Sequence, residues 1–131
     1  MTVFSSLPIV GIRNRTTDVM LATRARVAQD FWSRLKGLIG ARTLRDGEGL
    51  VIMPCRSIHT MFMAFPIDVI YVDAEHRIVD IELDLQPWKL SLPRRRSHYV
   101  IELPAGTVIS TGTAVGDHLS LENHIGVEEG L

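Results

Sequence analysis

The chain is short of several things, and each shortage excludes something. One cysteine, Cys55, stands among 131 residues. It cannot close an intramolecular disulfide, and no CxxC pair is present to hold zinc. Aromatic residues make up 6% and charged residues 22%, with a net charge of −1. That balance excludes a strongly basic protein, so no nucleic-acid partner is expected. The uncharged run from Ser57 to Ile67 is far below the roughly 18–20 apolar residues that span a bilayer, and no membrane partner is expected. The N-terminus, MTVFSSLPIVGIRNR, has no basic segment ahead of its apolar run, so a cytoplasmic location is expected. Five histidines, at positions 59, 76, 98, 118 and 124, show neither HxH nor HExxH spacing. No metal and no cofactor is expected on that pattern.

What is present suits one ordinary core. Apolar residues are 46% of the chain, and neither a repeat nor a linker divides it, so residues 1–131 read as one domain with a short polar tail over 123–131. Short β-rich runs dominate: 9–13, 19–27, 49–53, 67–72, 78–83, 99–103 and 118–121. A polar turn at Asn14–Thr17 separates the first two, and Asp73–His76 suits a hairpin loop. One short helix is predicted near residues 30–38, capped by Asp30, with Phe31, Leu35 and Leu38 on one face and Gly37 and Gly40 ending it. The expected fold is mainly β, a compact sandwich or barrel-like single domain with that one helix.

The chemistry candidates cluster in CRSIHTMFMAFPID, from Cys55 to Asp68. If the segment is extended, Cys55, Ser57, His59, Met61 and Met63 share a face. A Cys–His pair can make an activated thiolate, whereas an isolated cysteine is commonly an inert buried thiol. Cys55 is expected to be shielded. In the following strand Asp68 shares a face with Ile70 and Val72, and Ile67, Val69 and Tyr71 share the other. Both faces are mostly apolar, so the strand is central and Asp68 points inward. Glu102, in YVIELPAG, shares its face with Val100. A carboxylate so placed is paired, braces a turn, or faces a ligand. Asp117 follows Gly116 and reads as the cap of its own turn. Arg94, Arg95 and Arg96 form either a loop of solvated charge or an edge that binds phosphate or carboxylate.

The succession GLIGARTL, GLVIMPCRSIHTMFMAFPIDVIYVD, LQPW, YVIELPAG and VGDHLSL resembles the family called domain of unknown function 192, over about residues 27–121. Where many members carry a Trp-Met-Lys-Asn-Thr type of motif, this chain has His59 to Met63, and its hairpin has Glu75–His76 instead of Asp-Gly. The resemblance implies a compact, mainly β domain of the intracellular type, with no established activity. The positions it carries over include Gly37, Leu38, Gly49, His59, Thr60, Met63, Pro66, Asp68, Glu102, Gly106, Gly116 and Asp117.

The leading expectation is a small-molecule ligand held by His59, Thr60, Asp68 and Glu102, with Met61, Met63 or Trp88 as an apolar wall. Two alternatives stay open. One is an enzyme with His59 as base or Cys55 as nucleophile, and Asp68 as orienter. The other is a structural or partner-binding module whose motifs serve the fold.

Overall fold

The computed structural model describes residues 7–30, 34, 38–39 and 43–123. It is mainly β. Among the described residues nine strands follow in chain order: β1 (Ile9–Asn14), β2 (Val19–Ala28), β3 (Glu48–Ile52), β4 (Ile58–His59), β5 (Ile67–Val72), β6 (Ile78–Leu85), β7 (Leu90–Ser91), β8 (Tyr99–Pro104) and β9 (Leu119–Asn123). One four-residue helix, α1 (Thr107–Ser110), follows β8. The helix expected near 30–38 falls largely outside the described residues. Arg34 is helical, and its N–H donates to the Asp30 carbonyl at 3.0 Å.

Seven strands form one sheet in the order β6-β5-β8-β3-β2-β1-β9, and β4 and β7 form a separate two-stranded ribbon. All pairings are antiparallel except β2 with β3. The sheet curls until its edges meet at one corner. There Arg77 bridges His118, the Ile78 N–H donates to the Asp117 carbonyl at 2.9 Å, and the Leu119 N–H donates to the His76 carbonyl at 2.8 Å. Curling gives the sheet an inner face to which all seven strands contribute, including Ile12, Leu21, Val51, Ile70, Ile78, Ile101 and Leu119. The outer face of the central strands is a second core. It packs Leu50, Ile52, Val69, Tyr71 and Val100 against Leu38, Ile58 and Met63. Every residue of β5 and of β8 is buried, as strands covered on both faces require.

The polar turns use the residues their geometry demands. The Asn14 side-chain oxygen accepts from the N–H groups of Thr16 and Thr17 at 3.0 and 3.2 Å. Asp73 Oδ1 accepts from Glu75 and Arg77 at 2.9 Å each, with His76 left-handed at φ 66°. Asp117 Oδ2 accepts from the Ala114 N–H and from Asn14 Nδ2, both at 2.9 Å. Gly49 is glycine because β3 and β8 approach closely: a Cβ there would lie 2.9 Å from Leu103 Cδ2.

Candidate functional site

The central strands separate the two carboxylates. Asp68 lies opposite Leu103, and Val69 lies opposite Glu102. Side chains alternate along a strand and cross-strand partners share a face. Asp68 therefore projects to the inner face with Ile70, and Glu102 to the outer face with Val69 and Val100. The structure does not bring them together.

Asp68 is 1% exposed, and both of its oxygens are engaged by backbone. Oδ1 accepts from Asp84 N–H at 3.0 Å, while Oδ2 accepts from Gly106 and Val108 N–H at 3.1 and 2.9 Å. The residue ahead of α1 is Gly106, left-handed at φ 97°, and glycine has no side chain to cap a helix. Asp68 supplies that cap from the neighbouring strand. It also holds the end of β6, where Asp84 is left-handed at φ 51°.

Thr60 is fully buried and joins two loops. Its hydroxyl donates to the Gln86 carbonyl at 2.6 Å and accepts from the Lys89 N–H at 2.8 Å. Its own N–H donates to the Lys89 carbonyl, and its carbonyl accepts from the Trp88 N–H, both at 2.8 Å. His59 pairs with Leu90 on the ribbon, half-buried, with Nδ1 accepting from Met61 N–H at 3.2 Å. The extended reading of residues 55–63 needs correction: strand pairing there is limited to Ile58–His59, and Phe62 is left-handed at φ 63°. Two-residue strands offer no periodicity to read.

Glu102 is different. It is 2% exposed, its cross-strand neighbours are Leu50 and Val69, and its Oε1 has no hydrogen-bond partner among the described residues. Burial pushes its pKa up to about 8, so it is chiefly a neutral acid at pH 7. Burial also raises the pKa of the Cys55 thiol, with a lesser influence of Glu102 in the same direction and of Arg34 against it. The thiol donates to the Ser57 carbonyl at 3.0 Å. Arg34 Nη1 reaches the Pro54 carbonyl at 3.3 Å, but its Nε is buried without a partner among the described residues. So the two residues that hold the orphan donor and the orphan acceptor both bear on the pKa of the same thiol. Sequence reasoning found Glu102 and Cys55 and missed Arg34, which sits in a helical pattern that gave no sign of turning inward.

Arg94 departs from the other two members of its triplet. It donates to Asp80 at 2.8 Å and to Glu82 and Ser91 at 2.9 Å, and its guanidinium lies 4.3 Å from the Tyr71 ring centroid. The Tyr71 hydroxyl bonds Ser91 in turn. Arg94 thus binds carboxylates of its own chain, Asp80 and Glu82, which the period of two along β6 puts on one face. Among the described residues no three His, Cys, Asp or Glu side chains form a group able to hold a metal.

The model of a family described as uncharacterized ACR, DUF192, matches residues 12–121. A UPF0127 protein of Pyrococcus furiosus is 36% identical over 109 residues, covering 81% of this chain and 93% of that one. Another from Pyrococcus horikoshii is 32% identical, covering 82% and 96%. A protein of unknown function from Novosphingobium aromaticivorans superposes with a TM-score of 0.79 at 23% identity, covering 92% of this chain and 90% of that one. A putative transcription regulator from Sinorhizobium meliloti does so with a TM-score of 0.75 at 21% identity, covering 88% and 94%. At these identities the two structures are alike in fold.

Proposed function

The chain belongs to the DUF192 family, and from that premise we propose that the domain binds a small polar ligand between Glu102 and Arg34, beside Cys55. One observation carries the reading. The buried side-chain atoms without a partner among the described residues are Glu102 Oε1 and Arg34 Nε, and the Cys55 thiol feels both groups. A buried unpaired polar group costs about 1–3 kcal/mol, and such groups persist where a ligand completes them. As a neutral acid, Glu102 both donates and accepts; Arg34 Nε only donates. The fitting ligand carries an acceptor, such as a carboxylate or carbonyl, for Arg34 and a hydroxyl or amide for Glu102.

In this reading Asp68 and Thr60 hold the fold around the site instead of touching the ligand, because backbone groups already occupy their polar atoms. The test is a thermal-shift panel of small carboxylates, hydroxy acids and amides. At least one should raise the melting temperature of the wild type and do so far less for Glu102→Gln and Arg34→Met. If no compound shifts the wild type, or the shifts survive both substitutions, the reading is wrong.

A further inference from the structure

The loops joined by Thr60 present a ridge that a free globular surface has no need of. Phe62 is 66% exposed, Trp88 56%, Leu90 65% and Leu92 67%. Scattered exposed apolar residues need no explanation, but a contiguous group does. Contiguity follows from the pairing: His59 faces Leu90 across the ribbon, and the Phe62 and Trp88 rings pack edge to face with centroids 4.7 Å apart. Ser91, between the two leucines, points inward and is buried. The ridge is also held rigidly. Phe62 and Trp88 are both in the left-handed backbone region, at φ 63° and 66°, which bulky residues rarely adopt. The hydrogen bonds of Thr60 to Gln86, Trp88 and Lys89 keep the second loop in place. Strain of this kind persists where the surroundings fix it, and it is concentrated at functional sites.

In sequence, the segments that carry the ridge bear charge of one sign, and Asp80 and Glu82 of β6 reach them at Arg94 and Ser91. Residues 53–66 and 86–97 hold five of the 14 Lys and Arg and none of the 15 Asp and Glu. Nine basic residues against fifteen acidic ones are left in the rest of the chain. Of the five, Arg94 is occupied by Asp80 and Glu82. Arg56, Lys89, Arg95 and Arg96 are exposed. The nearest acids in sequence are Asp68, which is buried, and Asp84, near the end of β6.

We propose that this ridge docks on the surface of an anionic phospholipid bilayer, with Phe62, Trp88, Leu90 and Leu92 entering the headgroup boundary and Arg56, Lys89, Arg95 and Arg96 facing the lipid phosphates. Aromatic and aliphatic side chains with flanking basic residues are the pattern of interfacial binding. Single-stranded nucleic acid fits less well, because exposed leucines offer bases nothing to stack on and the two rings are packed on each other. The expectation of no membrane partner rested on the lack of a spanning segment, which peripheral docking does not need.

The experiment is flotation of the purified protein with pure phosphatidylcholine vesicles and with vesicles containing about a third phosphatidylglycerol. The protein should float with the anionic vesicles alone, and salt should release it. Each basic residue near such a surface strengthens binding about fivefold, so Arg95→Gln with Arg96→Gln should weaken it about 25-fold. Phe62→Ser with Trp88→Ser should abolish flotation, and because Trp88 and Phe62 lie outside both cores, its far-ultraviolet circular dichroism should stay that of the wild type. Leu90→Ser with Leu92→Ser repeats the test without touching the strained loops. No flotation, equal flotation with both lipids, or flotation indifferent to the ridge variants would overturn the proposal. So would concentration-dependent self-association, or binding to single-stranded oligonucleotides, lost with the same variants, because the ridge would then have another occupant.

Discussion

Replacing Glu102 by glutamine should change how stability depends on pH more than it changes stability itself. The folded-state pKa of Glu102 is about 8, against 4.5 for an unperturbed glutamate. Between these values the unfolded chain has released its proton and the folded chain has kept it. Folding therefore takes up a proton, and stability falls as pH rises through this window. The sign is opposite to that of an ion-paired carboxylate. Each pH unit of full difference is worth about 1.4 kcal/mol, which sets a ceiling near 5 kcal/mol from about pH 4.5 to 8. The actual loss is smaller to the extent that water reaches the ionised group. Glutamine keeps the shape and does not titrate. Wild type and Glu102→Gln should then be close in stability at about pH 5, and the variant should be the more stable by several kcal/mol near pH 9. Urea melts of both proteins at a series of pH values read the gap directly. A gap that stays constant with pH would show that Glu102 is already ionised and satisfied when folded, and the ligand reading would lose its basis.

Two further outcomes follow from how the neighbouring polar groups are satisfied. Asp68→Asn should destabilise by about 1–3 kcal/mol, because one of its two accepting oxygens becomes an NH2 that meets backbone donors; unchanged denaturant midpoints would remove Asp68 from its role as the cap of α1. Cys55, half-buried and with its pKa raised by burial, should react with a thiol reagent at neutral pH far more slowly in native than in urea-unfolded protein, and equal rates would revive the nucleophile reading.

The mainly β class was legible because β5 and β8 are short runs whose alternating side chains make two largely apolar faces, and because the turns at Asn14, Asp73 and Asp117 carry the residues their geometry requires. The same alternation placed Asp68 inward with Ile70 and Val72, correctly. What it could not give was pairing. That Asp68 and Glu102 occupy opposite faces depends on the register between β5 and β8, in which Val69 rather than Asp68 meets Glu102. A shift of one residue would have put both carboxylates on one face. Nothing local in either strand sets that shift. The ribbon was illegible for another reason: strands of two residues carry no period, and Leu90 and Leu92 look like ordinary apolar residues until their neighbours are known. Arg94 was grouped with Arg95 and Arg96 because adjacent identical residues have the same chemistry. Only its position over Tyr71, within reach of Asp80 and Glu82, distinguishes it.

The stretch from Cys55 to Asp68 shows why residue type was a poor guide to role here and partner count a better one. It held most of the residues with catalytic chemistry, yet its polar side chains are largely saturated by nearby backbone: the thiol by Ser57, Thr60 by the loop at Gln86–Lys89, and Asp68 by three N–H groups. A saturated buried group has little left to give a ligand, and its effect on the molecule is to fix geometry. What Thr60 fixes is the position of Phe62 and Trp88. What Asp68 fixes is the relation of β5 to β6 and α1, and so the strands that carry Glu102 and its neighbours. The atoms that lack partners belong to Glu102 and Arg34, which lie outside this stretch and both bear on the pKa of its first residue. In the proposed reading, functional chemistry is sought where the fold has left a desolvated group unanswered, and the motif-rich segment holds that place and the ridge apart.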